Sequence, residues 1–126
     1  MKISRLDHLV LTVRDLDVTV RFYTDVLGME RVTFGEGRKA LQFGNQKINL
    51  HQVGQKFEPK ADKPTPGSSD LCFVTESSIE EVTERLTLLG INILEGSVKR
   101  TGAVGELTSL YVRDPDLNLL EIAAYS

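Results

Sequence analysis

The sequence nearly repeats itself, and this repeat limits what the chain can fold into more than any other feature. His8 precedes Gly28 by twenty residues in the first half, and Asp70 precedes Gly90 by the same twenty in the second. A residue suited to cap a helix follows each starting point by seven positions. Self-similarity at this spacing indicates two copies of one supersecondary unit, each too small to be stable alone. We therefore expect the 126 residues to form one compact protein.

The first copy, residues 1–53, predicts a β-α-β-β-β unit. Leu and Val partly alternate over residues 5–13, which is typical of a strand. Asp15 is placed to begin a helix that Gly28 ends, because glycine adopts the left-handed conformation of a C-terminal cap at little cost. The apolar residues of this helix recur at helical spacing, at Leu16, Val20, Tyr23 and Leu27. Three short strands complete the unit, near residues 29–35, 38–44 and 47–53.

The second copy, residues 70–126, predicts the same order of elements after a proline-containing linker over residues 54–69. Its helix ends at Gly90 and begins after Ser77 or Ser78, since both serines have a glutamate three residues later, the spacing of a capping box. Its strands are expected over residues 70–75 and near residues 91–95, 106–113 and 118–124.

Eight short strands and two helices favour an α+β fold. We expect the two β-α-β-β-β modules to join into one curved mixed sheet, with the helices outside and a concave cleft inside. The glycine-rich, basic segment 96–105 is predicted to be a mobile loop over a site. Neither helix begins with a phosphate-binding glycine motif. Gly102 and Gly105 do not form one either, because they lack the preceding strand and following helix that such a motif needs.

Composition excludes several classes of function. The net charge is −3, so the chain offers no electrostatic reason to bind nucleic acid. No signal-peptide pattern and no long apolar span are present, which predicts a soluble cytoplasmic protein without a membrane partner. Cys72 is the single cysteine and lies in an apolar run, so we expect a buried, inert thiol.

Four side chains are candidate metal ligands. His8 and His51, the only two histidines, fall in predicted strands, and Glu121 lies between Leu and Ile, where a carboxylate needs a partner. If a pseudo-twofold axis relates the modules, these residues and Asp70 converge on one metal cleft. Such nitrogen and oxygen ligands suit Mn, Fe(II), Co, Ni or Zn. The alternatives are hydrogen-bonded sheet histidines, an inward salt bridge at Glu121 and an ordinary turn aspartate at Asp70.

Three segments carry a resemblance to a known family: Asp-His-Leu-Val-Leu-Thr-Val at residues 7–13, the helix end Phe22-Tyr23 to Leu27-Gly28, and the run from Tyr111 to Ile122. They resemble the vicinal oxygen chelate superfamily, which includes glyoxalase I, fosfomycin-resistance proteins, methylmalonyl-CoA epimerase and extradiol dioxygenases. The resemblance covers essentially the whole chain. Residues 38–44, 49–51, 57–61 and 100–102 further resemble the glyoxalase-domain-containing protein 5 group and its bacterial relatives, some labelled virulence-associated.

The resemblance implies paired modules in a single domain around one divalent ion, with ligand places at His8, His51, Asp70 and Glu121. Histidine is usual in the family where this chain has Asp70, which makes Asp70 the weaker ligand. Glycine is common in the family's Asp-Pro-Asp-Gly turn, where this chain has Leu117.

The chemistry implied is that of a glyoxalase I-like lyase or isomerase acting on a small substrate with vicinal oxygens, such as a glutathione hemithioacetal. Glu121 is the expected base, with Asp70 as the alternative. Lys99 and Arg100 are candidates to bind an anionic tail, against the alternative of solvated surface charges. Tyr111 is a candidate substrate contact, against the alternative of a half-buried strand tyrosine.

Two other functions stay open, namely a non-catalytic binding or resistance module and a fosfomycin-type epoxide hydrolase. Tyr111 favours the second, because it stands ten residues before Glu121 as in the fosfomycin-resistance proteins, and Ser109 beside it adds support. Val10 counts against it, because the fosfomycin transferases have a threonine there. A homodimer is expected, since family members of this size are typically dimeric and two short modules leave sheet edges exposed.

Overall fold

A computed structural model gives the structure of the chain and describes residues 1–55 and 57–126. The β-α-β-β-β order predicted for each half is confirmed. The first half contains β1 (His8–Val13), α1 (Leu16–Asp25), β2 (Glu30–Phe34), β3 (Arg38–Phe43) and β4 (Gln46–Gln52). The second half contains β5 (Asp70–Val74), α2 (Ile79–Leu88), β6 (Glu95–Thr101), β7 (Glu106–Arg113) and β8 (Leu119–Tyr125). Within the described residues, no helix is both long enough and apolar enough to span a membrane.

The chain divides into two compact units, Met1–Gly67 and Ser68–Ser126, which we call module one and module two. Hydrogen bonds join the strands of each module into a four-stranded mixed sheet, in the orders β1-β4-β3-β2 and β5-β8-β7-β6. In both, the first strand lies parallel to the last, and the remaining pairs are antiparallel. That the two modules form a single domain stays a prediction.

Each helix begins at the side chain that its sequence provides. The Asp15 carboxylate accepts a hydrogen bond from the backbone N–H of Val18 at 3.1 Å. Of the two candidate serines, Ser78 is the cap: its hydroxyl accepts from the backbone N–H of Glu81 at 3.1 Å and donates to the Glu81 carboxylate at 3.2 Å. These contacts satisfy backbone donors that the first helical turn leaves without partners.

One side of each sheet forms the apolar core of its module. Ile48 in β4 lies beside Leu9 of β1, and Leu120 in β8 lies beside Leu71 of β5. Ile48 and Leu120 are both completely buried. Because side chains alternate along a strand, the functional candidates on these strands point to the other side, which we call the helix-free face.

The predicted mobile loop over residues 96–105 is wrong, and so is the predicted strand near residues 91–95. Most of the segment is β6, which pairs with β7 and ends in a turn where the Gly102 N–H donates to the Gly105 carbonyl at 2.7 Å. Gly96 lies within this strand. Only glycine fits at this position, because a Cβ would lie 2.6 Å from the Cβ of Leu110. The glycine that indicated a loop is thus required by the close approach of two strands.

The prediction of a buried thiol at Cys72 is also wrong. Cys72 is exposed on the helix-free face of β5, as are Asp70 and Val74 at alternate positions of the same strand. The apolar residues around Cys72 indicated burial, but only Leu71 and Phe73 point to the core side, because successive side chains of a strand alternate.

Candidate functional site

Glu121 lies at the centre of the helix-free face of module two. It is flanked across the sheet by Cys72 on β5 and by Tyr111 on β7. The hydroxyl of Ser109, a completely buried side chain, donates a hydrogen bond to Oε2 of Glu121 at 2.6 Å. A bond of this length to a carboxylate is charge-assisted and strong for its type. Glu121 is therefore held in position by its own sheet.

The Cys72 thiol also contacts this carboxylate. Partial removal of the thiol from water, together with the negative charge of Glu121 and a hydrogen bond to it, raises the pKa of Cys72 from 9.0 to about 11. The thiol therefore stays protonated at neutral pH and donates to Glu121 rather than acting as a nucleophile. The expectation that Cys72 is chemically inert agrees with this pKa, although its expected burial does not hold.

A cavity of about 440 Å³ opens beside Glu121. Its other polar lining residues are Asp70, Glu95 and Tyr111, and Leu94 and Leu119 complete the wall. Three carboxylates thus share one cavity with one phenol. Of the predicted site residues in this module, the structure brings together Glu121, Asp70 and Tyr111.

The two predicted basic residues of module two lie on opposite sides of β6. Arg100 donates through Nε to the Tyr111 hydroxyl at 2.9 Å and lies 3.6 Å from a Glu95 carboxylate oxygen. The hydrogen bond to Tyr111 raises the pKa of Arg100 above its ordinary value. Lys99 points to the other side, where it donates to Thr108 at 2.9 Å. Arg100 thus remains a candidate contact for substrate, whereas Lys99 faces away from Tyr111 and Glu121.

His51, on β4 of module one, is a half-buried side chain with two defined neighbours. Its ring stacks on Phe57 at a centroid distance of 4.2 Å. A guanidinium nitrogen of Arg38 lies 3.2 Å from its Nε2. Arginine can only donate, so Nε2 accepts and the ring proton resides on Nδ1. Burial and the positive charge of Arg38 lower the pKa of His51, which favours the neutral ring.

His8 lies at the start of β1, and the structure does not bring it close to His51. His8 pairs with Lys47 and His51 pairs with Thr12, a separation of four residues along parallel strands or roughly 13 Å. The His8 side chain is exposed and its Nδ1 lies 2.8 Å from the Asp7 carboxylate. Hydrogen bonding to His8 lowers the pKa of Asp7.

The strand register identifies a position that the sequence analysis missed. Glu121 pairs with Cys72, two residues after Asp70, and Asn49 pairs with Val10, two residues after His8. The counterpart of Glu121 in module one is therefore Asn49 rather than His51. Asn49 is buried, and its Oδ1 has no hydrogen-bond partner among the described residues. The offset along the chain could not have identified Asn49, because Glu121 follows Asp70 by 51 residues and Asn49 follows His8 by only 41.

The described residues fit a divalent metal in part. Asp70 and Glu121 line one cavity and offer oxygen ligands, but no group of three His, Cys, Asp or Glu side chains in residues 1–55 and 57–126 has an arrangement that holds a metal. In module one, Nε2 of His51 is engaged by Arg38. Module two thus supplies two carboxylates suited to an ion, and the remaining ligands stay predictions.

Comparison with known proteins gives a consistent family assignment. The model of the Glyoxalase/Bleomycin resistance protein/Dioxygenase superfamily matches residues 5–122. Virulence protein STM3117 of Salmonella typhimurium is 59% identical, covering 99% of this chain and 87% of that protein. Glyoxalase domain-containing protein RDO1 of Mycosarcoma maydis is 58% identical, covering 99% and 70%. The solved integron cassette protein VCH_CASS1 from the mobile metagenome of V. cholerae is 57% identical, with a TM-score of 0.98 over 100% of this chain and 98% of that chain.

Two more distant matches are named as enzymes. The metallothiol transferase FosB of Staphylococcus epidermidis is 25% identical over 97% of this chain and 82% of its own length. A lactoylglutathione lyase from Agrobacterium tumefaciens is 24% identical with a TM-score of 0.75, over 98% of this chain and 96% of that chain, and supports the fold alone. The predicted likeness to virulence-associated and glyoxalase-domain proteins is confirmed by the closer relatives.

Proposed function

Because the chain belongs to the glyoxalase/bleomycin resistance/dioxygenase superfamily, we propose that it is a divalent-metal-dependent lyase or isomerase of the glyoxalase I type. Its substrate would be a small molecule with vicinal oxygens, such as a glutathione hemithioacetal. Superfamily membership makes an enzyme plausible, and the metal and the reaction are the parts that we propose. A cytoplasmic homodimer belongs to the same proposal.

One observation supports this proposal above the others. Asp70 and Glu121 line the same cavity, and Ser109 holds Oε2 of Glu121 in position. A carboxylate that is fixed at the wall of a cavity is suited to bind an ion or to move a proton. The proposed ligand set is His8, His51, Glu121 and the weaker Asp70. His51 can ligate through Nε2 only if Arg38 moves away.

A bound divalent ion would supply a Lewis acid that polarises the substrate oxygens. The residues of this chain supply the rest of the chemistry. Glu121 would take a proton from one carbon and return it to its neighbour, while Ser109 keeps the carboxylate aimed at the cavity. Tyr111, tied to Arg100, would donate a hydrogen bond to a substrate oxygen from the same cavity wall. Arg100 is the proposed partner of an anionic substrate tail, whereas the other candidate, Lys99, lies on the opposite side of β6 and has no role in this proposal.

The decisive experiment measures metal stoichiometry. The purified full chain is stripped with a chelator, reloaded separately with Mn, Fe(II), Co, Ni and Zn, and assayed for bound ion. We expect about one ion per chain for the preferred metal, and about a hundredfold weaker binding in Glu121→Gln. The loaded protein is then screened with hemithioacetals of glutathione by following thioester absorbance.

Glu95→Gln is the matched control for Glu121→Gln. Both residues line the same cavity and both changes remove one negative charge, but Glu95 is not a proposed ligand. Metal binding should survive in Glu95→Gln. If the wild-type chain retains no ion, or if both variants lose it equally, the metalloenzyme proposal fails.

A non-catalytic binding module is the second candidate. It is favoured by the Arg38 contact with Nε2 of His51, since that contact occupies a proposed metal ligand, and by the lack of a three-residue metal cluster in the described part of the chain. A ligand-binding module needs no metal. Tight binding of a small molecule to metal-stripped protein, without turnover after reloading, would favour this candidate.

A further inference from the structure

Arg38 is a half-buried cation without an acidic partner in the described residues. Among residues 1–55 and 57–126 its side chain donates one hydrogen bond, to His51, and no carboxylate there lies within ion-pair distance of it. A guanidinium carries five N–H donors and is always charged, so partial burial without an anion leaves most of its binding capacity unused. This arrangement indicates a negatively charged group that comes from outside the module.

Aromatic rings hold this guanidinium in place. Its central carbon lies 4.9 Å from the ring centre of Phe34 and 5.6 Å from that of Phe57, while the Phe57 ring itself stacks on His51. Contact between a guanidinium and aromatic faces stabilises the cation and leaves its N–H edge free. Arg38 is therefore positioned before any ligand arrives, which lowers the entropy cost of binding.

A second cation and a cavity lie beside the same rings. Lys47 reaches the ring of Phe34, with Nζ 3.8 Å from the ring centre, so two positive charges border one ring. His51 and Phe57 also line a cavity of about 240 Å³, together with Thr12 and Pro64. Most of the cavity wall is apolar, although Gln52, Gln55 and Lys60 also line it, and Arg38 contacts the lining residue His51.

We propose that module one binds a small organic carboxylate, with Arg38 as its charged partner and the cavity beside His51 as the space for its organic part. Arginine matches a planar carboxylate with two parallel N–H donors, a geometry that lysine cannot offer. The site lies wholly in module one and goes beyond the proposed metal function. It requires neither Glu121 nor a bound ion.

Benzoate is the probe for this site, because it joins a carboxylate to a flat ring that can pack against Phe57. The full chain, stripped of metal and held in chelator, is titrated with benzoate while the histidine ring protons are followed by NMR. Only two histidines are present, so His8→Gln assigns both sets of signals. We expect saturable shifts of the His51 signals and little change at His8.

Arg38→Gln should weaken benzoate binding by about tenfold or more. Lys39→Gln is the matched control: Lys39 is the adjacent cation on β3, and its Nζ bonds to Thr33 at 2.9 Å on the other side of the sheet. The Lys39→Gln variant should bind benzoate as tightly as the wild-type chain does. Arg38→Lys keeps the charge if Arg38→Gln fails to fold, and it should also lose several-fold in affinity. Glu121→Gln should bind benzoate normally while losing metal, so failure of the metal proposal leaves this test intact.

Four results would overturn the carboxylate site. These are the absence of saturable His51 shifts, equal losses in Arg38→Gln and Lys39→Gln, equal binding of neutral benzamide, and a loss of benzoate binding in Glu121→Gln. Tighter binding of inorganic phosphate than of benzoate would overturn the assignment to carboxylates.

Discussion

The two modules share a topology and a strand register but present opposite charges on their helix-free faces. Module one has Arg38, Lys47 and His51 arranged around two phenylalanine rings. Module two has three carboxylates around one cavity. The register makes the contrast direct, since Asn49 is neutral where its counterpart Glu121 is acidic.

This contrast shows that the fold constrains only one side of each sheet. The core sides are alike, with Ile48 in module one matched by Leu120 in module two, both completely buried. Loss of apolar burial destabilises the fold, whereas a polar helix-free face costs little as long as its groups find partners. The helix-free faces can therefore differ in charge while the core sides stay alike.

The largest expected effect tests whether the core sides are equivalent. Ile48→Ala and Leu120→Ala each remove a fully buried side chain, so each should lower the free energy of unfolding by about 3 kcal/mol. The measurement is urea denaturation followed by circular dichroism. A cost below about 1 kcal/mol for one variant and about 3 kcal/mol for the other would show that the modules differ in core packing as well as in charge.

The second prediction concerns the charge difference itself, through the thiol beside Glu121. With the Cys72 pKa raised from 9.0 to about 11, the thiolate fraction near neutral pH is about a hundredfold below that of an unperturbed thiol. Alkylation by iodoacetamide should be slower by a similar factor in folded than in unfolded protein. Glu121→Gln should speed alkylation only in part, because removal of the thiol from water is the larger cause of the shift.

Val10→Cys in a Cys72→Ser background supplies the control for this second prediction. Val10 has the same register position in module one, is exposed, and lies beside Asn49 instead of a carboxylate. Its thiol should alkylate at a rate closer to that of an unfolded chain. Equal rates for Cys72 and the new cysteine would contradict an acidic influence specific to module two.

The fold could be predicted from the sequence because its signals are local and repeated. The helix caps at Asp15 and Ser78, and the alternation in the strands, follow from a few neighbouring residues. The errors came where tertiary contacts reverse a local signal. Gly96 indicated a loop but meets Leu110 across two strands, and Cys72 lies in an apolar run but on the exposed side.

The candidate site was less predictable, because its contacts join distant residues. Ser109 reaches Glu121 across twelve positions and Arg38 reaches His51 across thirteen. Ligand chemistry identified Glu121 and His51 from the sequence, whereas no local signal placed Arg38 at a site. Only the pairing of β3 with β4 shows that Arg38 lies against His51.

The third prediction compares the helix caps, where the two modules should behave alike. Asp15→Ala and Ser78→Ala each remove one side-chain acceptor from a helix N-terminus, so each should cost about 1 kcal/mol in the free energy of unfolding. Ser77→Ala is the control, since Ser78 is the cap, and it should change stability by no more than about 0.3 kcal/mol. Urea midpoints are sufficient for the comparison. A cost for Ser77→Ala equal to that of Ser78→Ala would contradict the cap assignment.

The smallest expected effect concerns the turns between the last two strands of each module. Gly44 fills this turn in module one with a φ of +51°, whereas the exposed Leu117 has a φ of +70° in module two. A left-handed conformation costs a non-glycine residue about 1–2 kcal/mol. Glycine removes this cost, but roughly half of the benefit is offset by its greater conformational freedom in the unfolded chain. Leu117→Gly should therefore raise stability by about 0.5 kcal/mol, measured as a higher urea midpoint.

In Gly44→Ala the new Cβ would have no atom within 4 Å, so only the left-handed backbone opposes the change. This variant should lower stability by about 1 kcal/mol. If Leu117→Gly instead destabilises the chain, the leucine side chain contributes more to module two than its exposure indicates, and the two turns are not equivalent.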